Sequence, residues 1–233
     1  KWIVGATALA LVFGETVAMA LVPLIWLIPA LFALRAIMLR LDFPPLAFAF
    51  GLVILPLFPL MPGNFAPMRI DHHAPQAVLA LVCAALLIRD SKWSAVAGGL
   101  CAAAWVVISL EGLPLVAVLA GLYGVRYWFG ERTLLPWFLG ALAAASAALN
   151  YATRGPLDMA WCDVLLPGHV LTFAAAAVIA AIIPFLPWQD RVQGRVIALG
   201  AMGLVCLQLA TMLLGPCATN PMAQLEPVLQ TYW

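Results

Sequence analysis

The chain has 233 residues, 66% of them hydrophobic and only 9% charged, with a formal net charge of +1. An ordinary soluble domain carries about 25% charged and about 45–50% apolar residues, and a globule of this size has too little interior to hide so much apolar surface. Lipid is therefore the expected solvent, and so small a net charge leaves no basic field to attract nucleic acid.

A bilayer-crossing helix needs about 20 apolar residues, with a range of about 17–25. The stretch Trp2–Phe13 is apolar but short, and reads as the tail of a span or as a helix lying in the interface. Spans are then expected at Val17–Leu34, Pro45–Leu60, Pro75–Ile88, Trp93–Leu110, Leu113–Val125, Leu134–Asn150, Pro167–Pro187 and Val196–Leu214. The expected fold is all-α: one polytopic transmembrane bundle over residues 1–233, with about eight spans (seven to nine). Pro23, Pro29 and Pro184 are candidate helix breakers. Trp93–Val125 would be too long as one helix, about 50 Å against a hydrocarbon core of about 30 Å. It would also place Glu111 at mid-membrane, where a carboxylate is costly. A tight hairpin at Gly112-Leu113-Pro114 removes both problems.

The loops sort by charge. Arg35, Arg40, Arg89, Lys92, Arg126, Arg132, Arg191 and Arg195 fall in one alternating set, and only Arg69 and Arg154 in the other. The positive-inside rule makes the first set cytoplasmic. Trp93, Trp128, Trp137 and Trp188 fall near those ends, as an aromatic belt would. The outer loops then hold Glu15, Asp71, Glu111, Asp158, Asp163 and Glu226, together with His72, His73 and His169.

The densest cluster of chemically capable residues is Arg69-Ile70-Asp71-His72-His73. A carboxylate beside two imidazoles can bind a divalent metal, with Asp71, His72 and His73 as the ligands. Asp71 and a histidine can also make an acid–base pair, and Arg69 can clamp a phosphate through its planar fork. The plainer reading is a solvated polar loop in which Asp71 caps the helix ahead of Pro75, and the residues leave both open. Met61-Pro62-Gly63 and Pro67 constrain the loop. Glu111, at a hairpin tip on the membrane boundary, is a second candidate acid, or simply the wet marker of a turn. Glu15 follows the same logic with weaker support. The loop Asn150–Pro167, with Arg154, Asp158, Trp161, Cys162 and Asp163, can close over a headgroup or merely connect two spans. His169, after Pro167-Gly168, reads more readily as a cap than as a ligand.

Cys83, Cys101 and Cys206 lie in apolar runs and read as small core residues. Cys162 and Cys217 fall in polar loops on the same side, where a disulfide is feasible in an oxidising compartment. The sequence has no CxxC, no glycine-rich phosphate loop, no HExxH and no GxSxG. Nearly charge-free spans argue against an ion or proton path through the bilayer.

The stretch from Pro62-Gly63 to Arg69-Ile70-Asp71-His72-His73 and Gln76 resembles an outer loop of bacterial GT-C superfamily membrane glycosyltransferases, distant relatives of oligosaccharyltransferase catalytic subunits. Their Pro-Gly-Arg-Ile-Asp-His-His run is continuous, whereas here Asn64–Met68 separates the Pro-Gly pair from the arginine. Ser109-Leu110-Glu111-Gly112-Leu113-Pro114 is similar to a Leu-Glu-x-Leu-Pro turn of that group. Cys162-Asp163, Gly215-Pro216 and Asn220-Pro221 resemble later outer-loop signatures.

The resemblance implies sugar transfer, with inversion, from a polyprenyl-phosphate carrier to an acceptor on the non-cytoplasmic face. Asp71 and Glu111 would be the catalytic acids, Arg69 and Arg154 the phosphate-binding cations, and Asp71, His72 and His73 the ligands of a divalent metal, Mg or Mn. It also implies an internal portion of a longer chain, because an acid-bearing first outer loop precedes these motifs in that group. The location implied is a bacterial inner membrane, with the Asp-His-His loop periplasmic and further protein subunits possible. Two other readings stand beside it. One is a non-catalytic membrane subunit of a larger complex, and the other is a transporter or flippase-like protein.

Overall fold

The structure is a computed structural model that describes residues 10–54, 60–69, 71–154 and 162–219. Every regular element among them is helical. The chain divides into two units, Lys1–Arg89 and Asp90–Trp233.

The first unit contains α1 (Glu15–Ile25), α2 (Leu27–Arg40), α3 (Pro45–Ile54), α4 (Leu60–Phe65) and α5 (His73–Leu87). Helices α1 and α2 make one apolar run of 26 residues, Glu15–Arg40. Its regularity lapses at Trp26, where Pro29 removes the N–H that would continue the ladder. Helices α2 and α5 run side by side in the same direction. Ala30 of α2 and Ala74 and Val78 of α5 share a buried cluster with Phe65 of α4. At the far end, the Arg40 Nε donates to the Ile88 carbonyl at 3.4 Å. The ends carrying Arg40 and Arg89 therefore lie together, and His73 begins α5 at the opposite end.

The second unit contains α6 (Lys92–Ile108), a 3₁₀ turn (Leu110–Gly112), α7 (Leu113–Trp128), α8 (Leu134–Arg154), α9 (Pro167–Ile182), a 3₁₀ turn (Ile183–Phe185), α10 (Val192–Leu214) and α11 (Pro216–Thr219). Helix α6 packs chiefly on α8 and touches α7 only slightly; α8 packs on α9, and α9 on α10. The α6–α8 approach depends on Gly99, where a Cβ would collide with the Phe138 carbonyl oxygen of α8. Beside it, the Tyr123 and Phe138 rings stack with centroids 4.5 Å apart.

Cations and acids converge at one end of this unit. Arg126 pairs with Asp90, and Arg132 donates to both the Gln189 carbonyl and Asp190 Oδ1 at 3.0 Å. The buried Tyr127 hydroxyl donates to Gln189 Oε1 at 2.9 Å. Elsewhere a disulfide joins Cys162, just before α9, to Cys217 in α11.

Among the described residues, five helices are long and apolar enough to cross a membrane: Glu15–Arg40, Leu110–Trp128, Leu134–Thr153, Pro167–Phe185 and Val192–Leu214. The segments expected as spans at Pro45–Leu60, Pro75–Ile88 and Trp93–Leu110 form shorter apolar helices, Pro45–Ile54, His73–Leu87 and Lys92–Ile108. At 1.5 Å per residue the last two extend about 22 and 25 Å, short of a core of about 30 Å. Residues 55–59 of the expected second span lie outside the described residues, as does most of Trp2–Phe13.

The break expected near Glu111 is present. Ser109 leaves α6 in an extended conformation (φ −153°, ψ 130°), and Leu110–Gly112 makes one 3₁₀ turn. Pro114 sits in the first turn of α7, where its missing N–H costs nothing. Gly112 is buried beneath Trp105, whose indole a Cβ would strike.

Candidate functional site

The Arg69–His73 segment joins α4 to α5. Ala66–Arg69 is a turn closed by the Arg69 N–H on the Ala66 carbonyl, 3.1 Å, and the Met68 N–H bonds to the Met19 carbonyl of α1, 3.3 Å. Met68 has φ 70°, a left-handed conformation that a long side chain rarely adopts and that costs free energy. The Asn64–Met68 stretch folds back on itself. A Cβ on Gly63 would stand 3.9 Å from Arg69 Nη1, so the glycine adjoins the arginine despite the residues between them.

Asp71 organises the segment. Its Oδ2 accepts from Arg69 Nε at 2.6 Å, and its Oδ1 accepts from the His73 backbone N–H at 3.0 Å. The second bond satisfies one of the amides that a helix start leaves without an intrahelical partner. Burial pushes the Asp71 pKa up. The Arg69 hydrogen bond, the His73 N–H, and the charges of His73 and Arg69 more than offset that, so the net shift is downward. At neutral pH Asp71 is a carboxylate that accepts hydrogen bonds and holds cations, and it has no proton to donate.

The His72 and His73 rings lie side by side, centroids 4.4 Å apart and planes inclined at 48°. His73 is exposed, His72 half-buried. The structure thus brings Arg69, Asp71, His72 and His73 together in one short segment. The two imidazoles suit a divalent cation. Asp71, already held by Arg69 and an amide, is better placed to fix the segment than to act alone as a ligand.

The other candidates belong to the second unit. Glu111 is exposed on the 3₁₀ turn, and its backbone N–H donates to Ser109 Oγ at 3.4 Å. Arg154 ends α8, one residue before the undescribed stretch 155–161. Asp158, Trp161, Asn220-Pro221 and Glu226 lie outside the described residues, as does Ile70. Asp163 is exposed beside Cys162.

His169 takes the plainer of its two roles. It is buried in the first turn of α9, and its Nδ1 accepts from the Leu166 N–H at 3.0 Å. The ring caps the helix, and that nitrogen is spent on a neighbouring amide.

The cap expected of Asp71 ahead of Pro75 is present as the carboxylate's clasp on the His73 amide; its grip on Arg69 is the part the sequence reading missed. The signal for the cap is local: an Asp two residues before a helix start commonly accepts from the backbone ahead of it. Compared with known proteins, the chain matches no family model, no curated protein and no solved structure.

Proposed function

We propose that the chain is a membrane glycosyltransferase of the GT-C kind, or the transmembrane portion of one, which moves a sugar from a polyprenyl-phosphate carrier to an acceptor on the non-cytoplasmic face. The observation that carries this reading is the constrained Arg69–His73 segment, at the end of its unit opposite Arg40 and Arg89. If the arginine-rich end is cytoplasmic, the segment faces outward. The Cys162–Cys217 disulfide of the second unit supports an oxidising space on one face of the chain, because such bonds do not persist in a reducing cytoplasm.

In this reading Arg69 meets the carrier phosphate, as a planar fork suited to phosphate oxygens. His72 and His73 would hold the divalent ion and phosphate oxygens would complete its shell. Of the two metals suggested by the resemblance, Mn fits imidazole better than Mg, which demands oxygen ligands. The bound ion would offset charge on the leaving phosphate. Asp71 keeps Arg69 and the start of α5 in place. Glu111 is the candidate acid for orienting the acceptor, and Arg154 a second candidate phosphate cation. The short helices α3, α5 and α6 join the five long ones as crossings, eight in all, with flanking polar residues reaching the interfaces or the bilayer thinning around them.

The test is Mn binding by the purified full chain in detergent, with Asp71→Asn/His72→Ala as control, followed by transfer assays with polyprenyl-phosphate sugars. Saturable binding lost in the double variant, with metal-dependent transfer, supports the enzyme. Binding absent, or unaffected by the substitutions, overturns it in favour of a non-catalytic membrane subunit.

A further inference from the structure

A groove of about 660 Å³ opens among α7, α8, α9 and α10 of the second unit. That falls within the roughly 300–1,000 Å³ of small-ligand pockets. Its walls are apolar, with Leu142 of α8, Phe173 of α9, and Gly121, Gly124, Gly200 and Gly203 of α7 and α10 among the lining residues. The hydroxyl of Thr172, also on the wall, already donates to the Gly168 carbonyl at 2.8 Å.

The glycines show that the groove is kept open by composition. At Gly99 a Cβ would strike a neighbouring helix, so that glycine permits close packing. At Gly121, Gly200 and Gly203 a Cβ would meet nothing within 4 Å. Larger residues there would fill the space instead of separating the helices. Helix α10 is also the least covered of the five long helices, with 6% of its apolar window buried.

Charge singles out the occupant. The groove runs to Trp128 and Val196 at the end of the unit where the cations gather. Arg126 and Arg132 are engaged there by Asp90 and Asp190. Arg195, adjacent to Val196, forms no ion pair with the described residues. Its Nε is shielded from solvent without a hydrogen-bond acceptor among them. Its Nη1 would stand 3.9 Å from a Cβ on Gly130, two residues past Trp128, so the guanidinium lies near that end of the groove without lining it. The side chain as a whole is only half-buried, and a guanidinium without an ion pair near an apolar groove attracts an anionic acceptor to its outer N–H groups.

We propose that this groove binds one acyl chain of an anionic bilayer phospholipid, with the lipid phosphate against Arg195. Basic pockets between membrane helices hold such headgroups, while the glycine-lined walls take the chain. The site is independent of Asp71, His72 and His73, so its fate does not depend on the glycosyltransferase reading.

The test uses the delipidated full chain and native mass spectrometry with phosphatidylglycerol, phosphatidylcholine of matched chains, or inorganic phosphate. The anionic lipid should bind about tenfold tighter than the zwitterionic one, and Arg195→Gln should reduce that preference to within about twofold. Gly200→Leu, or Gly203→Leu if the first does not fold, should weaken both lipids at least about tenfold, and inorganic phosphate should neither bind nor compete. Equal binding of the two lipids by the unaltered chain would overturn the proposal. So would wild-type lipid binding by the leucine and Arg195→Gln variants, phosphate binding alone, or a leucine variant that changes only the oligomeric state because a second copy fills the groove.

Discussion

Two helix starts in this molecule carry histidines, and the chain uses them differently. At the start of α9, His169 is buried and its Nδ1 is bonded to the Leu166 amide. At the start of α5, the corresponding amide bond is made by Asp71, which leaves the His72 and His73 rings out of the capping task. A helix start must satisfy its leading N–H groups somehow. Where a carboxylate does so, neighbouring imidazoles are not needed for the cap; where an imidazole does so, it becomes structural. What decides the role of a histidine is the identity of the capping group two or three residues away.

The largest expected effect would come from exchanging these roles. His169→Ala strands the buried Leu166 amide, at a cost of about 1–3 kcal/mol. Thermal unfolding in detergent should show the midpoint falling by roughly 2–4 °C per kcal/mol. His73→Ala, at an exposed ring, should leave that midpoint within about a degree while weakening metal binding. An unchanged midpoint for the His169 variant would break the comparison.

A smaller effect is expected beside His169. A Cβ at Gly168 would stand 2.9 Å from Leu214 Cδ2 and 3.1 Å from the Leu213 carbonyl oxygen. Gly168→Ala should therefore cost stability toward the lower part of about 1–3 kcal/mol, since Leu214 can shift but the carbonyl cannot. Unfolding measured on this variant, with Gly140→Ala as a control where a Cβ meets nothing, isolates the close approach.

The smallest effect concerns Asp71. Its pKa is lowered in the folded chain. The stability it contributes is therefore present above the unfolded carboxyl value, about 3.9, and is lost as pH falls through the lower folded value. Arg69 and Asp71 side chains are 48% and 26% exposed, so solvent screening keeps this below about 1 kcal/mol. Arg69→Gln should leave the midpoint at pH 7 almost unchanged and flatten its decline below about pH 4. A large loss for this variant at neutral pH would mean that the pair does more than position a loop.

Hydropathy alone revealed the all-helical build, the interruption at Ser109–Pro114 and the clustering of cations, because length, charge and proline placement are local properties. The pairing of Cys162 with Cys217 was open in the sequence, since spacing does not fix geometry, and the structure joins them. Helix partners were not legible. A hairpin at Gly112 suggests that α6 lies on α7, yet α6 lies chiefly on α8. The choice is made by Gly99 and the neighbouring Gly98, Ala102 and Ala103, which are buried and small enough for a close approach. Helices apolar on every face carry little directional pattern to announce such a choice. The candidate site was legible as a cluster of residue types, but not as a division of labour. The Asp71 cap was expected, but its grip on Arg69, with two rings set beside each other, depends on the turn at Met68, whose positive φ no residue type announces.

The disulfide bears on how the chain is made as well as on how it stands. Cys162 lies before α9 and Cys217 after α10, 55 residues apart in sequence. The bond cannot close until both intervening helices have been synthesised and threaded to their final depth. The two thiols are thus a clock built into biogenesis: while they react with an alkylating probe, insertion of this part of the chain is unfinished, and their silence marks the moment at which it is complete.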